Sequence, residues 1–139
     1  MESLKKIVLI EDNAGDVKLV KFALEQLDSP PELVHFSYGD EFLNYVEETQ
    51  LENVCVVLLD FNLPKLNGLD IIKRLGDNFP DLKTPVIILS SSCSPIDIRK
   101  SYSLGANAFV AKPIELDDFC ASIESIISFW SEHNLLPDD

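Results

Sequence analysis

Apolar runs alternate with helix-spaced patterns along the whole chain. Five short runs have the length and the β-branched content of buried strands. They cover residues 6–10, 33–36, 54–59, 86–89 and 108–111. The run at 54–59 is apolar at every position, which is typical of a central parallel strand that is covered on both faces.

Segments between and after these runs carry apolar residues at helical spacing. Helices are predicted over residues 17–27, after the turn at 38–40, over 68–79 and 95–104, and from 116 onward. Pro30 and Pro31 end the first helix, and Pro95 stands in a first turn, where proline is tolerated. The last helix has an apolar stripe of Leu116, Phe119, Ile123, Ile126, Ile127 and Trp130.

Strands that alternate with helices predict an α/β fold, with a doubly wound parallel sheet and helices on both faces. No internal repeat or linker interrupts the pattern. We therefore expect one domain over residues 1–139, in which the last helix extends beyond about residue 128.

Composition excludes several classes of protein. A chain that is 46% hydrophobic and 25% charged is ordinary for a globular domain, so disorder and fibrous structure are excluded. No apolar run approaches the ~20 residues that span a bilayer. The first six residues lead directly into a strand and do not form a secretory signal. The three cysteines lack metal-type spacing and favour a reducing compartment, so we expect a cytoplasmic protein.

The charge balance bears on partners. A formal net charge of -13 disfavours binding to nucleic acid, which normally requires a basic surface. The same charge disfavours an anionic membrane surface.

Polar side chains follow four of the predicted strands at their carboxyl ends, where ligands bind in open α/β sheets. Glu11 and Asp12 follow the first strand, Asp60 the third, Ser90 the fourth and Lys112 the fifth. Each of the others alone is more often a solvated turn residue or a helix cap, whereas Asp60 is less easily explained in this way, because it ends the most apolar strand. Their joint occurrence at one edge of the sheet predicts a functional site.

The chemistry of this set indicates phosphoryl transfer. Clustered carboxylates repel each other unless a cation neutralises them, and Mg²⁺, or Mn²⁺ in its place, prefers oxygen ligands. An aspartate such as Asp60 is able to attack phosphorus as a nucleophile. Lys112 supplies a point charge and Ser90 a hydroxyl donor for phosphate oxygens.

The chain resembles the receiver domains of two-component response regulators over nearly its whole length. The matching motifs are Glu-Asp-Asn at 11–13, Leu-Asp-Phe-Asn-Leu-Pro at 59–64 with Asn-Gly at 67–68, Pro-Val-Ile-Ile-Leu-Ser at 85–90, and residues 105–113. Each motif is moderately specific, whereas the four in this order are very specific. The resemblance implies a flavodoxin-like five-stranded sheet in the order 2-1-3-4-5 with five helices.

The resemblance also implies roles for single residues. Asp60 would accept a phosphoryl group from the phosphohistidine of a sensor histidine kinase. Glu11 and Asp12 would form the acid pocket, and Asp12, Asp60 and the backbone carbonyl of Asn62 would ligate Mg²⁺. Lys112 would pair with the phosphoryl group, and the peptide bond between Lys112 and Pro113 would be cis.

Further roles concern switching and phosphoryl lifetime. Ser90 would hydrogen-bond the phosphoryl group and Phe109 would move with it, whereas without the family Phe109 is interpreted as a core aromatic. The Phe side chain stands where many relatives have Tyr, which removes a hydroxyl, and Ser90 stands for the commoner Thr. Asn62 and Ser92 occupy positions that tune dephosphorylation in such domains.

Residues 11–16 and the long last helix with Phe129 and Trp130 are similar to stand-alone, chemotaxis-regulator-like proteins that partner phytochrome-type kinases. Such proteins tend to form homodimers through the fourth helix, fifth strand and fifth helix. Apolar contacts there would come from Ile96, Ile98, Tyr102 and Trp130, or these residues simply pack the core. The signal would leave by protein contact, with a downstream partner, a phosphorelay protein or the kinase itself.

Three other functions are weaker. A phosphohydrolase with an aspartate nucleophile usually has a second aspartate two residues on, where this chain has Asn62. A flavodoxin-like cofactor binder needs a phosphate-cradling loop, and Glu11 and Asp12 would repel a phosphate there. A phosphate-independent scaffold would not require a complete acid pocket with Lys112. The chain is therefore predicted to be a signalling receiver and not an enzyme, apart from its own phosphorylation and dephosphorylation.

Overall fold

The computed structural model describes residues 5–137. Residues 1–4, which belong to the segment excluded as a secretory signal, and residues 138–139 lie outside the described residues. In chain order the elements are β1 (Lys6–Ile10), α1 (Ala14–Glu25), β2 (Glu32–Phe36), α2 (Gly39–Thr49), β3 (Val54–Asp60), α3 (Gly68–Asn78), β4 (Val86–Ser90), α4 (Pro95–Ser103), β5 (Ala108–Ala111), α5 (Leu116–Ser128) and a π-helical turn (Phe129–His133).

The sheet has five strands in the order β2-β1-β3-β4-β5, and each neighbouring pair is parallel. The predicted α/β fold and the implied strand order are confirmed. All seven residues of β3 are buried, as the unbroken apolar run predicts for the central strand. Because all strands run in one direction, their carboxyl ends meet at one edge of the sheet.

Two apolar cores cover the two faces of the sheet. Successive strand residues point to opposite faces, so Val8 and Ile10 of β1 join one core while Ile7 and Leu9 join the other. The first core includes side chains of α2 and α3, and the second includes side chains of α1 and α5. Burial of both faces leaves the ends of the strands as the place where polar side chains gather.

The helices depart from the sequence pattern in a few places. Helix α1 ends at Glu25, so Leu27 packs against the second core from beyond the helix. Leu116 is 64% exposed because it is the first residue of α5, before the turn that reaches the core. The chain continues past Ser128 as the π-helical turn, where Lys5 Nζ donates to the carbonyl of Ser131.

The cysteines occupy different environments. Cys55 is buried in β3, Cys120 is half-buried, Cys93 is exposed, and none of the three forms a disulfide. Burial raises the pKa of the Cys55 thiol above its ordinary value.

Within residues 5–137 no helix has the length and apolar character needed to cross a membrane.

A thiol reagent should therefore distinguish the cysteines. We expect iodoacetamide at neutral pH to modify Cys93 first, because the thiolate is the reactive form and the Cys55 thiol is both buried and harder to ionise. Peptide mapping by mass spectrometry over time measures the two rates. Cys93→Ser should remove the fast phase, and equal rates at Cys55 and Cys93 in the native protein would contradict the structure.

One buried hydroxyl predicts a stabilising substitution. The buried Tyr45 hydroxyl has no hydrogen-bond partner among the residues that the structure describes. The Tyr45 ring itself packs against that of Phe36, with the ring centroids 5.2 Å apart. Tyr45→Phe should raise the free energy of unfolding by about 1 kcal/mol, since it removes an unpaired buried group. Tyr102→Phe is the control, because the Tyr102 hydroxyl accepts from the Phe109 N–H at 3.2 Å. Urea unfolding measures the free energy of unfolding, and an equal increase in both variants would refute this explanation.

Candidate functional site

Four strands deliver polar residues to the same edge of the sheet. Glu11 directly follows β1, Asp60 ends β3, Ser90 ends β4 and Lys112 directly follows β5. Backbone bonding holds this edge in register, since the Lys112 N–H donates to the Ser90 carbonyl at 2.7 Å. The predicted convergence of these residues is therefore present in the structure.

The Lys112 ammonium lies at the centre of the site and donates to three carboxylates. Its Nζ is 2.7 Å from Glu11 Oε1, 3.0 Å from Asp16 Oδ2 and 3.2 Å from Asp60 Oδ1. The side chains of Lys112, Glu11 and Asp60 are only 12%, 2% and 7% exposed. Charges removed from water to this extent are tolerated because they compensate each other.

An acidic pocket adjoins this ion cluster. Carboxylate oxygens of Glu11, Asp12 and Asp60 lie within 4.8 Å of one another, with Asp12 on the exposed side. Burial and the hydrogen bond with Asp60 raise the pKa of Glu11 to about 8, against the opposing effect of Lys112. Burial by itself would lower the pKa of Lys112, but Glu11 and Asp60 outweigh it and hold that pKa above its ordinary value.

Burial is the largest cause of the Glu11 shift, and the neighbouring Asp60 carboxylate adds to it, because one lysine faces several carboxylates here. An all-oxygen donor set with excess negative charge fits a hard divalent cation such as Mg²⁺. The three pocket residues therefore suit the ion that the sequence predicts.

The predicted tuning residues lie at the rim of the site. Asn62 is exposed, and its backbone N–H donates to Asp60 Oδ1 at 3.4 Å, which folds the loop after β3 around the carboxylate. Ser92 is exposed in the loop after β4.

Ser90 is fully buried, and its hydroxyl donates to the Ser92 carbonyl at 2.6 Å and accepts from the Ser92 N–H at 3.1 Å. In this structure Ser90 thus bonds its own loop rather than a group in the acidic pocket.

Phe109 connects the site with α4. Its ring meets that of Phe61, the neighbour of Asp60, edge-on at a centroid distance of 6.0 Å. Its backbone N–H donates to the hydroxyl of Tyr102 on α4. The half-buried ring therefore lies between the loop that follows Asp60 and the surface formed by α4 and β5.

One expectation is wrong. The structure has no cis peptide bond among residues 5–137, so the bond between Lys112 and Pro113 is trans. Trans is the intrinsically favoured form of a bond before proline. With this bond trans, the Lys112 side chain already reaches Glu11, Asp16 and Asp60.

Asp16 is the site residue that the sequence analysis missed. It lies in the first turn of α1, where its backbone N–H donates to the Asn13 side chain at 2.9 Å. A signal was available: Asp16 stands four residues after Asp12, in a helix that begins at the edge where the polar residues gather.

Comparison with known proteins identifies the class. The model of the response regulator receiver domain matches residues 7–124. The chain therefore belongs to the family of response regulator receiver domains, the signalling modules of two-component systems that interact with histidine kinases. Receiver domains bind Mg²⁺ or Mn²⁺ in their acidic pocket, which corresponds here to the cluster of Glu11, Asp12 and Asp60.

Particular relatives are similar over almost the full length. Response regulator Rcp1 of Synechocystis sp. is 33% identical over 138 residues, which cover 96% of this chain and 93% of that protein. The crystal structure of a phosphorylated cyanobacterial phytochrome response regulator, RcpA, has 31% identity and a TM-score of 0.89 and covers 98% of this chain and 100% of that one. The Mn²⁺-bound structure of Rcp1 has 33% identity and a TM-score of 0.84, with 96% and 99% covered. The predicted family and the resemblance to phytochrome-associated regulators are confirmed at this level.

The ion cluster predicts a large effect of Lys112 on stability. Lys112→Met leaves three carboxylates without their cation and should lower the free energy of unfolding by about 3 kcal/mol in the presence of EDTA. Lys73→Met is the matched control, because Lys73 and Asp77 form a pair with both side chains more than 60% exposed, at 64% and 63%. That pair should contribute less than about 0.5 kcal/mol. Chemical denaturation measures both changes, and an equal loss of unfolding free energy in Lys112→Met and Lys73→Met would show that the buried cluster does not stabilise the fold.

Proposed function

We propose that this protein is a phosphoacceptor that receives a phosphoryl group on Asp60 from the phosphohistidine of a sensor histidine kinase. One observation carries the proposal: the Asp60 carboxylate lies within 4.8 Å of those of Glu11 and Asp12 and accepts from the Lys112 ammonium at 3.2 Å. Lys112 supplies one positive charge beside this nucleophile, and a divalent cation held by the pocket would supply the second that phosphoryl transfer requires. The protein acts on itself only, by phosphorylation and autodephosphorylation at Asp60, and is not an enzyme for other substrates.

Each group in the pocket has a defined task. A carboxylate oxygen of Asp60 attacks phosphorus while the phosphorus–nitrogen bond of the donor breaks and its electron pair remains on the imidazole. Glu11, Asp12, Asp60 and the backbone carbonyl of Asn62 are the groups that would hold Mg²⁺ or Mn²⁺, whose charge neutralises the phosphoryl oxygens. Lys112 turns one of its three N–H donors to the phosphoryl group.

Phosphorylation then switches the surface formed by α4, β5 and α5. The Ser90 hydroxyl gives up its bond to the Ser92 carbonyl, which measures 2.6 Å, and donates to the phosphoryl group. Phe109 follows and alters its contacts with Phe61 and Tyr102. The side chains of Asn62 and Ser92 flank the path of the attacking water and set the lifetime of the phosphoryl group.

The partner surface carries exposed apolar side chains. On α4, Ile96 is 54% and Tyr102 50% exposed, and Ile98 is half-buried. Trp130 packs against the second core and contributes less. Through this surface the protein forms a homodimer or meets a downstream or phosphorelay protein.

The cellular setting follows from the relatives and the charge. The similarity to RcpA, a phytochrome response regulator, supports a phytochrome-type kinase as donor. A net charge of -13 supports a protein that contacts neither nucleic acid nor membrane, and the cysteine pattern supports a cytoplasmic location. Residues 1–139 would act as one receiver unit, with the π-helical turn as an extension of α5.

Intact-mass measurement with acetyl phosphate tests the chemistry. We expect one phosphoryl adduct that requires Mg²⁺, is stable in acid and is cleaved by hydroxylamine. Asp60→Asn should abolish the adduct and Lys112→Ala should block it or uncouple it from the switch. Asp70→Asn, a substitution in the first turn of α3, should keep it. Full transfer in both the Asp60 and the Lys112 variant would contradict the assigned roles.

A further inference from the structure

Asp16 has no part in the chemistry described so far, yet it contacts the central lysine. Its Oδ2 accepts from Lys112 Nζ at 3.0 Å, and its side chain is 28% exposed. By comparison, the Glu11 side chain in the same cluster is 2% exposed. Asp16 is thus the most solvated of the three partners of Lys112.

The helices α1 and α3 begin with the same Asn-x-x-Asp pattern, but the carboxylates of the two aspartates have different hydrogen-bond partners. In α3 the Asn67 side chain accepts from the Asp70 N–H at 3.0 Å, and Asp70 Oδ2 accepts from the Asn67 N–H at 3.2 Å, which completes a capping box. Helix α3 shows what this pattern does when no other group competes for the aspartate.

In α1 only half of that arrangement is present. The Asn13 side chain accepts from the Asp16 N–H, but the Asn13 N–H donates to Glu11 Oε2 at 3.3 Å. The Asp16 carboxylate, freed from capping, accepts from Lys112 instead. Asp16 is therefore held by the helix terminus in a position directed at Lys112.

The donors of Lys112 are fully used. An ammonium group has three N–H donors, and the structure assigns them to Glu11, Asp16 and Asp60. A phosphoryl oxygen on Asp60 has to take over one of these donors. The Asp16 carboxylate also adds a negative charge near Asp60, because both carboxylates accept from the same lysine. This charge repels an anionic group that binds at Asp60.

We propose that Asp16 is a positioning residue that competes with the phosphoryl group for Lys112 and so weakens the binding of an anion at Asp60. This inference rests on the proposed function, in which Lys112 pairs with the phosphoryl group. Its effect has a distinctive sign. Removal of the Asp16 charge should strengthen the binding of an anion at the site, and it should leave the binding of a cation unchanged or weaken it. A substitution that only disturbed the structure of the site would weaken the binding of both ions.

The test uses the full chain and two probes, Mg²⁺ alone and beryllofluoride in saturating Mg²⁺, each titrated by calorimetry. Asp16→Asn keeps the shape of the side chain and removes its charge. It should tighten beryllofluoride binding roughly three- to tenfold, the size expected for one charge at this separation in a partly hydrated site. Mg²⁺ affinity should stay equal or fall. Asp16→Ser, a second neutral residue tolerated in a first helical turn, should do the same.

Two controls separate charge from structure. Asp16→Glu keeps the charge and should restore wild-type affinities for both probes. Asp70→Asn removes the same charge from the same position of α3 and should change neither affinity.

Unchanged beryllofluoride affinity in the neutral Asp16 variants, or weaker binding of both probes, overturns the inference while the proposed function stands. A wild-type protein that binds no beryllofluoride in Mg²⁺ overturns the proposed function, and the inference with it.

Discussion

The ammonium of Lys112 contacts three carboxylates that come from separate elements of the chain. Its partners Glu11, Asp16 and Asp60 come from the end of β1, the first turn of α1 and the end of β3. The cluster is buried, so its charges must neutralise each other or recruit a cation. Burial and the neighbouring Asp60 raise the pKa of Glu11, although Lys112 opposes the shift. The three carboxylates of Glu11, Asp12 and Asp60 make the pocket suited to Mg²⁺.

The sheet explains why this cluster forms where it does. Both faces of β3 are covered by apolar cores, so polar groups are excluded from the strand until its last residue, Asp60. The parallel arrangement brings the equivalent ends of β1, β4 and β5 to the same edge. The ring of Phe109 contacts that of Phe61 at this edge, and the Phe109 N–H donates to the hydroxyl of Tyr102 on α4. In the proposed function, these contacts carry a change of charge at Asp60 to the surface formed by α4, β5 and α5.

Much of this was predictable from the sequence, because strands buried on both faces leave a clear apolar signature and end at their first polar residue. The residues Glu11, Asp60, Ser90 and Lys112 were placed correctly at one edge for that reason. Asp16 was missed because a pattern identical to a helix cap does not reveal that its carboxylate turns to a lysine 96 residues away. The π-helical turn after Ser128 was also not foreseen, since hydrophobic spacing predicts a helix but not a local change in its winding.

The charge-sharing role of Lys112 is open to direct observation. The side-chain ammonium of a buried, fully bonded lysine exchanges slowly enough for its ¹⁵N resonance to be followed by NMR, and Lys112→Ala assigns the signal. We expect beryllofluoride in Mg²⁺ to shift the Lys112 Nζ resonance in the wild type and not in Asp60→Asn. A Lys112 resonance that stays in place while the backbone signals around Asp60 move would show that Lys112 takes no part in holding the phosphoryl group.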